Sequence, residues 1–300
     1  MLISISLGNI PQLLRYTTVI MKQLPIGIQS FSELIANDYL YIDKTHNIYD
    51  LIKPPKGYYF LSRPRRFGKS LLISTLEAIF TARRELFKGL WIEQCGYEWP
   101  EHPVIRIDFA NIPSPDAETL SRSLNKRIAE IADENDISVE SDPNVAVYLN
   151  SLIRKLVDKH KSRAVILIDE YDSPIISNMR YPEVWRANRE VLASLYRTIK
   201  SNDEFLRFVF LTGVSKFAKV SVFSGLNNLL DISLDPDFAT LLGYTKEELE
   251  EYFSEKIILA TKEKATDEAT LLSEIKQWYN GYRFTKKEVH VYNPFSVLLF

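Results

Sequence analysis

Short, nearly continuous apolar segments alternate along this chain with longer segments whose apolar residues recur every three or four positions. An uninterrupted apolar run is typical of a parallel strand that is covered on both faces. Alternation of such strands with helices predicts an α/β sheet with helices on both sides. The candidate strands are residues 57–62 (GYYFLS), 104–109 (VIRIDF), 164–168 (AVILI) and 208–212 (FVFLT).

The longer segments between these strands have the apolar spacing of helices. They predict helices over residues 69–80, 119–134 and about 183–200. The first of these is apolar on nearly every side, which indicates a buried helix. Asp142 and Pro143 are expected to be the N-cap and the first residue of another helix.

The pattern changes in the last part of the chain. Thr245 and Glu248 have the spacing of a capping box, and two helical patterns run from there to about Tyr279. Because the alternation of strands and helices ends here, we predict a core domain over residues 21–240 and a small helical subdomain over residues 241–300.

Residues 1–20 stand apart from this plan. They are apolar enough to suggest a signal peptide, but Pro11 and Arg15 interrupt the apolar run, and the basic n-region and small-residue cleavage site are absent. We interpret this segment as an upstream extension from a misplaced start codon or as a disordered arm.

Composition excludes several classes of protein. The 300 residues include 37 basic and 39 acidic residues, and this balance argues against nucleic-acid binding through bulk charge. Cys95 is the only cysteine, so no intrachain disulfide can form and a cytoplasmic location is expected. No segment has the roughly 18 consecutive apolar residues of a membrane span, so we expect no membrane partner.

The strongest chemical signal is RPRRFGKS, residues 63–70, between a predicted strand and a predicted buried helix. Gly68 would let the backbone turn its N–H groups toward a phosphate, which the helix N-terminus also favours. Lys69 would then reach the β- and γ-phosphates, and the Ser70 hydroxyl would bind Mg²⁺. The consensus for such a loop begins with glycine, where this chain has Arg63. Taken alone, the segment is equally well explained as a solvated helix start.

Two other strand ends carry polar residues suited to the same chemistry. Asp169 ends an apolar run and is placed for a water-mediated contact with Mg²⁺, while Glu170 could orient and deprotonate an attacking water. Thr212 ends another predicted strand and would sense the γ-phosphate or align that water. The alternatives are an acidic turn after a buried strand and an ordinary strand-terminal threonine.

The sequence gives little support for a metal site or a nuclease site. The four histidines lack the spacing of a metal site, and the nuclease-like triplet at Glu274–Lys276 lies in a helical pattern instead of a strand. Several arginines are explained either as phosphate clamps and arginine fingers or as partners of neighbouring acids. They are Arg63, Arg65 and Arg66 near the loop, and Arg180, Arg186, Arg189 and Arg197 after Glu170.

With these residues in place, the sequence resembles the bacterial AAA-ATPase-like family from about Leu24 to Phe300. That family itself carries RPRRFGKS, including the arginine in place of the first glycine. Further matching segments are LPIGIQSFSELI (24–35), YLYIDKT (39–45), LIDEYDSPI (167–175), residues 210–235, LGYTKEEL (242–249), QWYNGYRF (277–284) and VYNPFSVL (291–298).

The resemblance implies a P-loop NTPase fold, in which helices cover a mostly parallel sheet of strand order 5-1-4-3-2. It implies ATP and Mg²⁺ as cofactors. The residues carried over are Arg66, Phe67, Gly68, Lys69, Ser70 and Leu71 for the nucleotide, Ser70 and Asp169 for the metal, and Glu170 and Thr212 for catalysis. Members of the family usually continue into a PD-(D/E)XK nuclease-like domain, so the helical subdomain would be truncated at its end and this effector domain would be missing.

Three functions stay open from the sequence. A Mg²⁺-dependent ATPase would use its nucleotide state as a conformational switch for an attached or partner effector domain. A catalytically weak or inactive nucleotide-binding interaction module, or a truncated remnant of one, would keep its partner affinity when Glu170 is replaced. A DNA-processing enzyme would need a carboxylate–lysine nuclease constellation, which we do not find in the sequence.

Overall fold

The computed structural model describes residues 22–216, 226–279 and 281–299, and the predicted extension over residues 1–20 lies outside this part. Within this part of the chain, five strands form one sheet: β1 (Gly57–Ser62), β2 (Val104–Asp108), β3 (Ala164–Asp169), β4 (Leu206–Gly213) and β5 (Leu230–Asp231). The described helices are α1 (Phe31–Ala36), α2 (Thr45–Ile52), α3 (Lys69–Phe80), α4 (Trp91–Gln94), α5 (Ala117–Glu134), α6 (Val145–His160), α7 (Ser173–Ile176), α8 (Pro182–Ser201), α9 (Lys246–Tyr252), α10 (Ser254–Glu263), α11 (Glu268–Tyr279) and α12 (Pro294–Leu299).

The sheet is parallel at every strand pair, in the spatial order β2-β3-β4-β1-β5. Read from the β5 edge, this order is 5-1-4-3-2. The carboxyl ends of β1, β3 and β4 therefore lie side by side, since Leu61 pairs with Thr212 and Ile168 pairs with Leu211. The fifth strand has only two residues, Leu230 and Asp231, and the sequence pattern did not locate it.

Alternating side chains of the strands enter two separate apolar layers. Phe60 and Ile166 face a layer formed with α5, α6 and α8, while Leu61 and Leu167 face a layer formed with α2 and α3. Strands β1, β3 and β4 are buried along nearly their whole length because helices cover both faces. The predicted α/β architecture is confirmed.

A third apolar cluster joins the last helices to the start of the chain. It includes Leu249 of α9, Leu271 of α11, Val297 of α12 and Ile42, which precedes α2. Next to it, the Nζ of Lys44 lies 2.5 and 2.6 Å from the two carboxylate oxygens of Glu248. The C-terminal helices thus contact the segment that leads into the core.

Local sequence signals explain most of the element boundaries. The capping box at Thr245 and Glu248 is present at the start of α9. The predicted cap of α6 was wrong by two residues, because the side chain of Asn144, not Asp142, accepts the N–H of Ala146. Between Thr245 and Tyr279 the chain forms three helices instead of the two predicted, with a break at Phe253.

Among the described residues, no helix combines the length and the apolar character needed to cross a membrane.

Candidate functional site

The segment 63–68 forms a tight loop from β1 into the N-terminus of the 12-residue helix α3. Two of its residues have left-handed backbone conformations, Arg66 with φ of 66° and Gly68 with φ of 90°. This conformation is ordinary for glycine but costs free energy for arginine, and such backbone strain tends to occur at functional sites. The folded protein therefore holds this loop in a conformation that costs free energy at Arg66.

Lys69, the first residue of α3, is buried although it carries an ammonium group. Its Nζ turns back over the loop and donates to the carbonyl oxygens of Arg63 at 3.1 Å and Pro64 at 3.0 Å. Burial lowers the pKa of Lys69, while the nearby carboxylates of Asp169 and Glu170 act in the opposite direction. The lysine thus holds the loop closed and lies beside the acidic strand ends.

Asp169 and Thr212 meet at the carboxyl ends of the neighbouring strands β3 and β4. Both side chains are buried, and the Thr212 hydroxyl donates a hydrogen bond to Oδ1 of Asp169. The same carboxylate oxygen accepts the backbone N–H of Glu170 at 3.0 Å. The fold thus brings together the two polar strand ends that the sequence singled out.

Glu170 follows β3 directly, with a left-handed backbone φ of 48° and a half-exposed side chain. Burial raises the pKa of its carboxyl group, and the negative charge of Asp169 raises it further. Lys69 acts against this shift. A carboxyl group with a raised pKa, next to a cleft and a buried cation, has the properties of a general base.

Arg63 and Phe67 attach the loop to distant parts of the chain. The guanidinium of Arg63 is buried and donates to the carbonyl oxygens of Ser233 at 2.8 Å and Phe238 at 3.2 Å. Its carbon Cζ lies 4.0 Å from the ring centroid of Phe284, and burial lowers its pKa to about 10. The residue that replaces the first consensus glycine therefore anchors the loop through backbone carbonyls.

Phe67 is buried and packs edge-on against two other aromatic rings. The ring centroids of Tyr282 and Phe284 lie 4.8 and 5.4 Å from that of Phe67. The closing motif QWYNGYRF thus contributes two rings that support the loop from behind.

The other arginines singled out by the sequence analysis lie at least partly on the surface. Arg65 and Arg66 are exposed, and Cζ of Arg66 is 4.2 Å from the ring centroid of Phe295 on α12. Of the arginines after Glu170, Arg189 lies 2.6 Å from Glu190, while Arg186 is 3.7 Å from a carboxylate oxygen of Glu183. These contacts fit the interpretation of charged helix faces for those two arginines.

A cleft of about 360 Å³ opens in front of the loop. Its lining includes Lys69, Ser70 and Glu170 together with Phe295 and Leu298 of α12. A second, mostly apolar cavity of about 80 Å³ adjoins it and shares Gly68 and Leu71 with it. Its other lining residues include Leu40, Tyr41, Ile42, Lys44 and Leu242.

Ser70 offers a hydroxyl oxygen and Asp169 a carboxylate oxygen, and such oxygen ligands suit Mg²⁺ and not a softer metal. Among the described residues, no group of three or more His, Cys, Asp or Glu side chains is arranged to hold a metal. Mg²⁺ commonly uses one or two protein oxygens and takes the rest from phosphate and water. The residues present therefore fit Mg²⁺ bound together with a nucleotide, and would not form a protein-only metal site.

Two acidic residues at this edge were missed by the sequence analysis. Asp108, the last residue of β2, pairs in register with Asp169 and contributes to the raised pKa of Glu170. Asp172 is almost fully buried and accepts backbone hydrogen bonds from Val214 and Ser215. The signal for both was available, since Asp108 lies near the end of one predicted strand and Asp172 lies a few residues after another.

The chain is similar to a curated protein from Azotobacter chroococcum mcd 1, described as "Uncharacterized protein in vnfD 5'region". The two are 42% identical over 284 residues, which cover 93% of this chain and 51% of the relative. This chain therefore spans about half the length of the curated relative that it matches.

Among solved structures, the chain is similar to "Structure of Drosophila ORC bound to poly(dA/dT) DNA and Cdc6 (conformation 1)", with 13% identity and a TM-score of 0.35. The match covers 77% of this chain and 35% of that one. A second similar structure is "Structure of Drosophila ORC bound to AT-rich DNA and Cdc6", with 12% identity, a TM-score of 0.33, and coverage of 76% and 36%.

A family profile described as "Predicted AAA-ATPase" matches residues 25–223, which is more than half of the 300 residues. This range contains the 63–68 loop, Asp169, Glu170 and Thr212. The chain belongs to the AAA-ATPase-like family.

Proposed function

We propose that this protein binds ATP with Mg²⁺ at the 63–68 loop and hydrolyses it to ADP and phosphate. The observation that carries the proposal is the buried Lys69 at a helix N-terminus, facing Asp169 and Glu170 at the carboxyl ends of parallel strands. Ligands of open α/β sheets bind at this edge. A buried cation beside an anion-binding helix end suits a polyphosphate.

The loop and the start of α3 would hold the phosphates. Backbone N–H groups from Arg66 to Leu71 would contact the phosphate oxygens, since the first N–H groups of a helix have no partner within the helix. Lys69 would exchange one of its two loop carbonyls for the β- and γ-phosphates. Ser70 and Asp169 would hold Mg²⁺, which neutralises charge on the β- and γ-phosphates.

Hydrolysis would use Glu170 as the base. The oxygen of a water attacks the γ-phosphorus, the bond from that phosphorus to the β,γ-bridging oxygen breaks, and Glu170 takes the proton of the water. The raised pKa of Glu170 makes it a stronger base than an ordinary carboxylate. Thr212, tied to Asp169, would align the water or sense the γ-phosphate.

The apolar cavity next to Gly68 is the proposed site of the nucleobase. Three consecutive residues of the family-like segment over 39–45, Leu40, Tyr41 and Ile42, line this cavity. Its mostly apolar surface suits a flat aromatic ring, which would enter from the larger cleft.

Nucleotide state would be passed to the C-terminal part of the chain. The loop contacts Phe284 through Arg63 and Phe67, and contacts Phe295 through Arg66. A shift of the loop on binding or hydrolysis would therefore move these aromatic residues. We propose that this movement is the output of a switch acting on an attached or partner effector domain, for which a nuclease-like domain is the candidate.

A second function is an interaction module that binds nucleotide with weak or no hydrolysis. It is favoured by Arg63, which stands in the place of the first consensus glycine and is fixed by contacts unrelated to phosphate. In that case nucleotide would act as a static ligand. Replacing Glu170 would then leave both nucleotide affinity and partner affinity unchanged.

The test is ATP binding by calorimetry with Mg²⁺ for the wild type, Lys69→Ala and the control Lys126→Ala. Lys126 is a solvent-exposed lysine on α5 that lines a different surface. We expect binding by the wild type and the control, and none by Lys69→Ala. Absence of binding by a folded wild-type protein would refute the proposal.

Turnover separates the two functions. Phosphate release by the wild type that disappears in Glu170→Gln, with ATP binding retained, would support the ATPase. Binding without phosphate release in either protein would support the static module.

A further inference from the structure

The residues after Glu170 hold the beginning of the segment that follows β4. Tyr171 donates its backbone N–H to the carbonyl oxygen of Thr212 at 3.0 Å, and its hydroxyl donates to the carbonyl oxygen of Ser215 at 2.7 Å. Asp172 accepts the N–H of Val214 at 3.1 Å and that of Ser215 at 2.8 Å. The hydroxyl of Ser215 donates to the same carboxylate at 2.8 Å.

These contacts continue the hydrogen bond between Thr212 and Asp169. Together they join residues 169–172 to residues 212–215 beyond the end of the paired strands β3 and β4. Gly213 is essential to the arrangement, because a Cβ there would lie 2.4 Å from the ring of Tyr171 and 2.8 Å from Asp172. The two segments therefore move together, unless these hydrogen bonds and the packing of Tyr171 on Gly213 are broken.

Asp172 is the charged centre of this unit. Its side chain is 2% exposed, and its charge acts on both Lys69 and Glu170. A buried carboxylate is tolerated when several N–H and O–H groups donate to it. Without Asp172, the N–H groups of Val214 and Ser215 would lose their acceptors.

Residues 214–216 lead away from the site toward the β5 edge of the sheet. Ser62 donates its hydroxyl to the carbonyl oxygen of Val214 at 3.0 Å, and Lys216 lies 3.4 Å from Asp231 of β5. Residues 214–216 are thus connected to β1 on one side and to the edge strand β5 on the other. A displacement of Thr212 would therefore move residues 214–216 and change their contacts with β1 and β5.

We propose that Asp172 is a positioning residue, which keeps Thr212 in register with Asp169 and Glu170 and couples the segment beginning at Val214 to nucleotide state. The inference rests on the proposed ATPase function. Asp172 touches no part of the nucleotide in this scheme. It acts through Thr212 and through the backbone of residues 213–215.

The experiment compares Asp172→Asn and Ser215→Ala with the wild type and the control Asp158→Asn. Asp158 is an exposed aspartate on α6, paired only with Lys161 among the described residues. Asp172→Asn keeps the size of the side chain but removes its negative charge and replaces one of its two acceptor oxygens by an NH₂ donor. Ser215→Ala removes one hydrogen bond and leaves the carboxylate in place, so it is the milder variant if Asp172→Asn does not fold.

The measurements are ATP affinity, kcat, and amide hydrogen exchange of residues 213–216 with and without ATP. For Asp172→Asn we expect ATP affinity within about threefold of the wild type and kcat lower by about tenfold or more, the pattern of lost positioning after binding. Ser215→Ala should shift kcat in the same direction by a smaller factor. ATP should slow exchange of these amides in the wild type and not in Asp172→Asn.

The outcomes separate this inference from the function on which it rests. If the wild type and Asp158→Asn hydrolyse ATP and both test variants keep the wild-type kcat, the role of Asp172 is refuted while the ATPase stands. That role is likewise refuted if Asp172→Asn lowers thermal stability alone. If the wild type itself does not bind or hydrolyse ATP, the proposed function fails and the inference fails with it.

Discussion

Replacing Gly213 by alanine should destabilise the protein, because the added methyl group would overlap buried neighbours. Gly213 follows Thr212, and its backbone lies against the ring of Tyr171. An added Cβ would lie 2.4 and 2.5 Å from two ring carbons of Tyr171, whereas ordinary contacts begin at about 3.4 Å. The overlap is therefore about 1 Å and must be relieved by movement.

Neither Tyr171 nor Asp172 can move away from Gly213 without losing contacts of its own. The Tyr171 ring is fully buried, its hydroxyl is bonded to Ser215, and it packs edge-on against Phe60 at 5.3 Å between ring centroids. Asp172 is held by three donors. Overpacking of this kind costs about 1–3 kcal/mol, and we expect the upper end of that range, about 3 kcal/mol.

The assay is urea unfolding of Gly213→Ala beside the control Gly281→Ala. A Cβ at Gly281 meets no atom within 4 Å. Both variants lose the same conformational freedom in the unfolded chain, a gain of about 0.4–1 kcal/mol that cancels in the comparison. A difference below about 0.5 kcal/mol between the two, the scatter of surface substitutions, would refute the close packing of residues 171–172 on residue 213.

Three other predictions follow from buried or shifted charges. The raised pKa of Glu170 means that the folded state holds this proton more tightly than the unfolded state does, so Glu170 costs stability above its folded pKa and nothing below its unfolded pKa. The urea midpoint of Glu170→Gln should therefore be higher than that of the wild type at pH 7.5, and the difference between the two midpoints should shrink toward pH 4.5. A difference that does not change with pH would contradict this. Glu248→Gln should destabilise by about 3 kcal/mol and more than Lys44→Met, because only the former leaves a buried ammonium without its carboxylate; equal urea midpoints would contradict this. Thr212→Val should cost about 2 kcal/mol through the lost hydrogen bond to Asp169, and should lower kcat while calorimetric ATP binding is retained.

Much of the fold could be predicted because its strands are buried on both faces. The runs at 57–62 and 164–168 carry no alternation that would suit a solvent-exposed sheet, and the structure pairs both in parallel with β4. β5 could not be found, because two residues carry no periodicity. The break at Phe253 was missed because the apolar spacing of α9 continues into α10.

The site was partly predictable for a topological reason. In a parallel sheet the carboxyl ends of neighbouring strands lie at one edge, so polar residues after buried runs are expected to meet, as Asp169 and Thr212 do. The anchoring role of Arg63 could not be predicted. Its partners are carbonyl oxygens at Ser233 and Phe238 and the ring of Phe284, and no local pattern indicates that residues so far apart in sequence will be in contact.

The anchoring of the loop by Arg63 and Phe67 has a consequence for the order of folding. Their partners, from Ser233 to Phe284, are synthesised at least 166 residues after Phe67, and contacts between such distant residues form slowly. During translation, the strands and helices up to Thr212 can assemble first, as N-terminal regions commonly do. The loop would be supported by these aromatic rings only after Tyr282 and Phe284 have left the ribosome, so nascent chains would gain the proposed ATP affinity abruptly at that point.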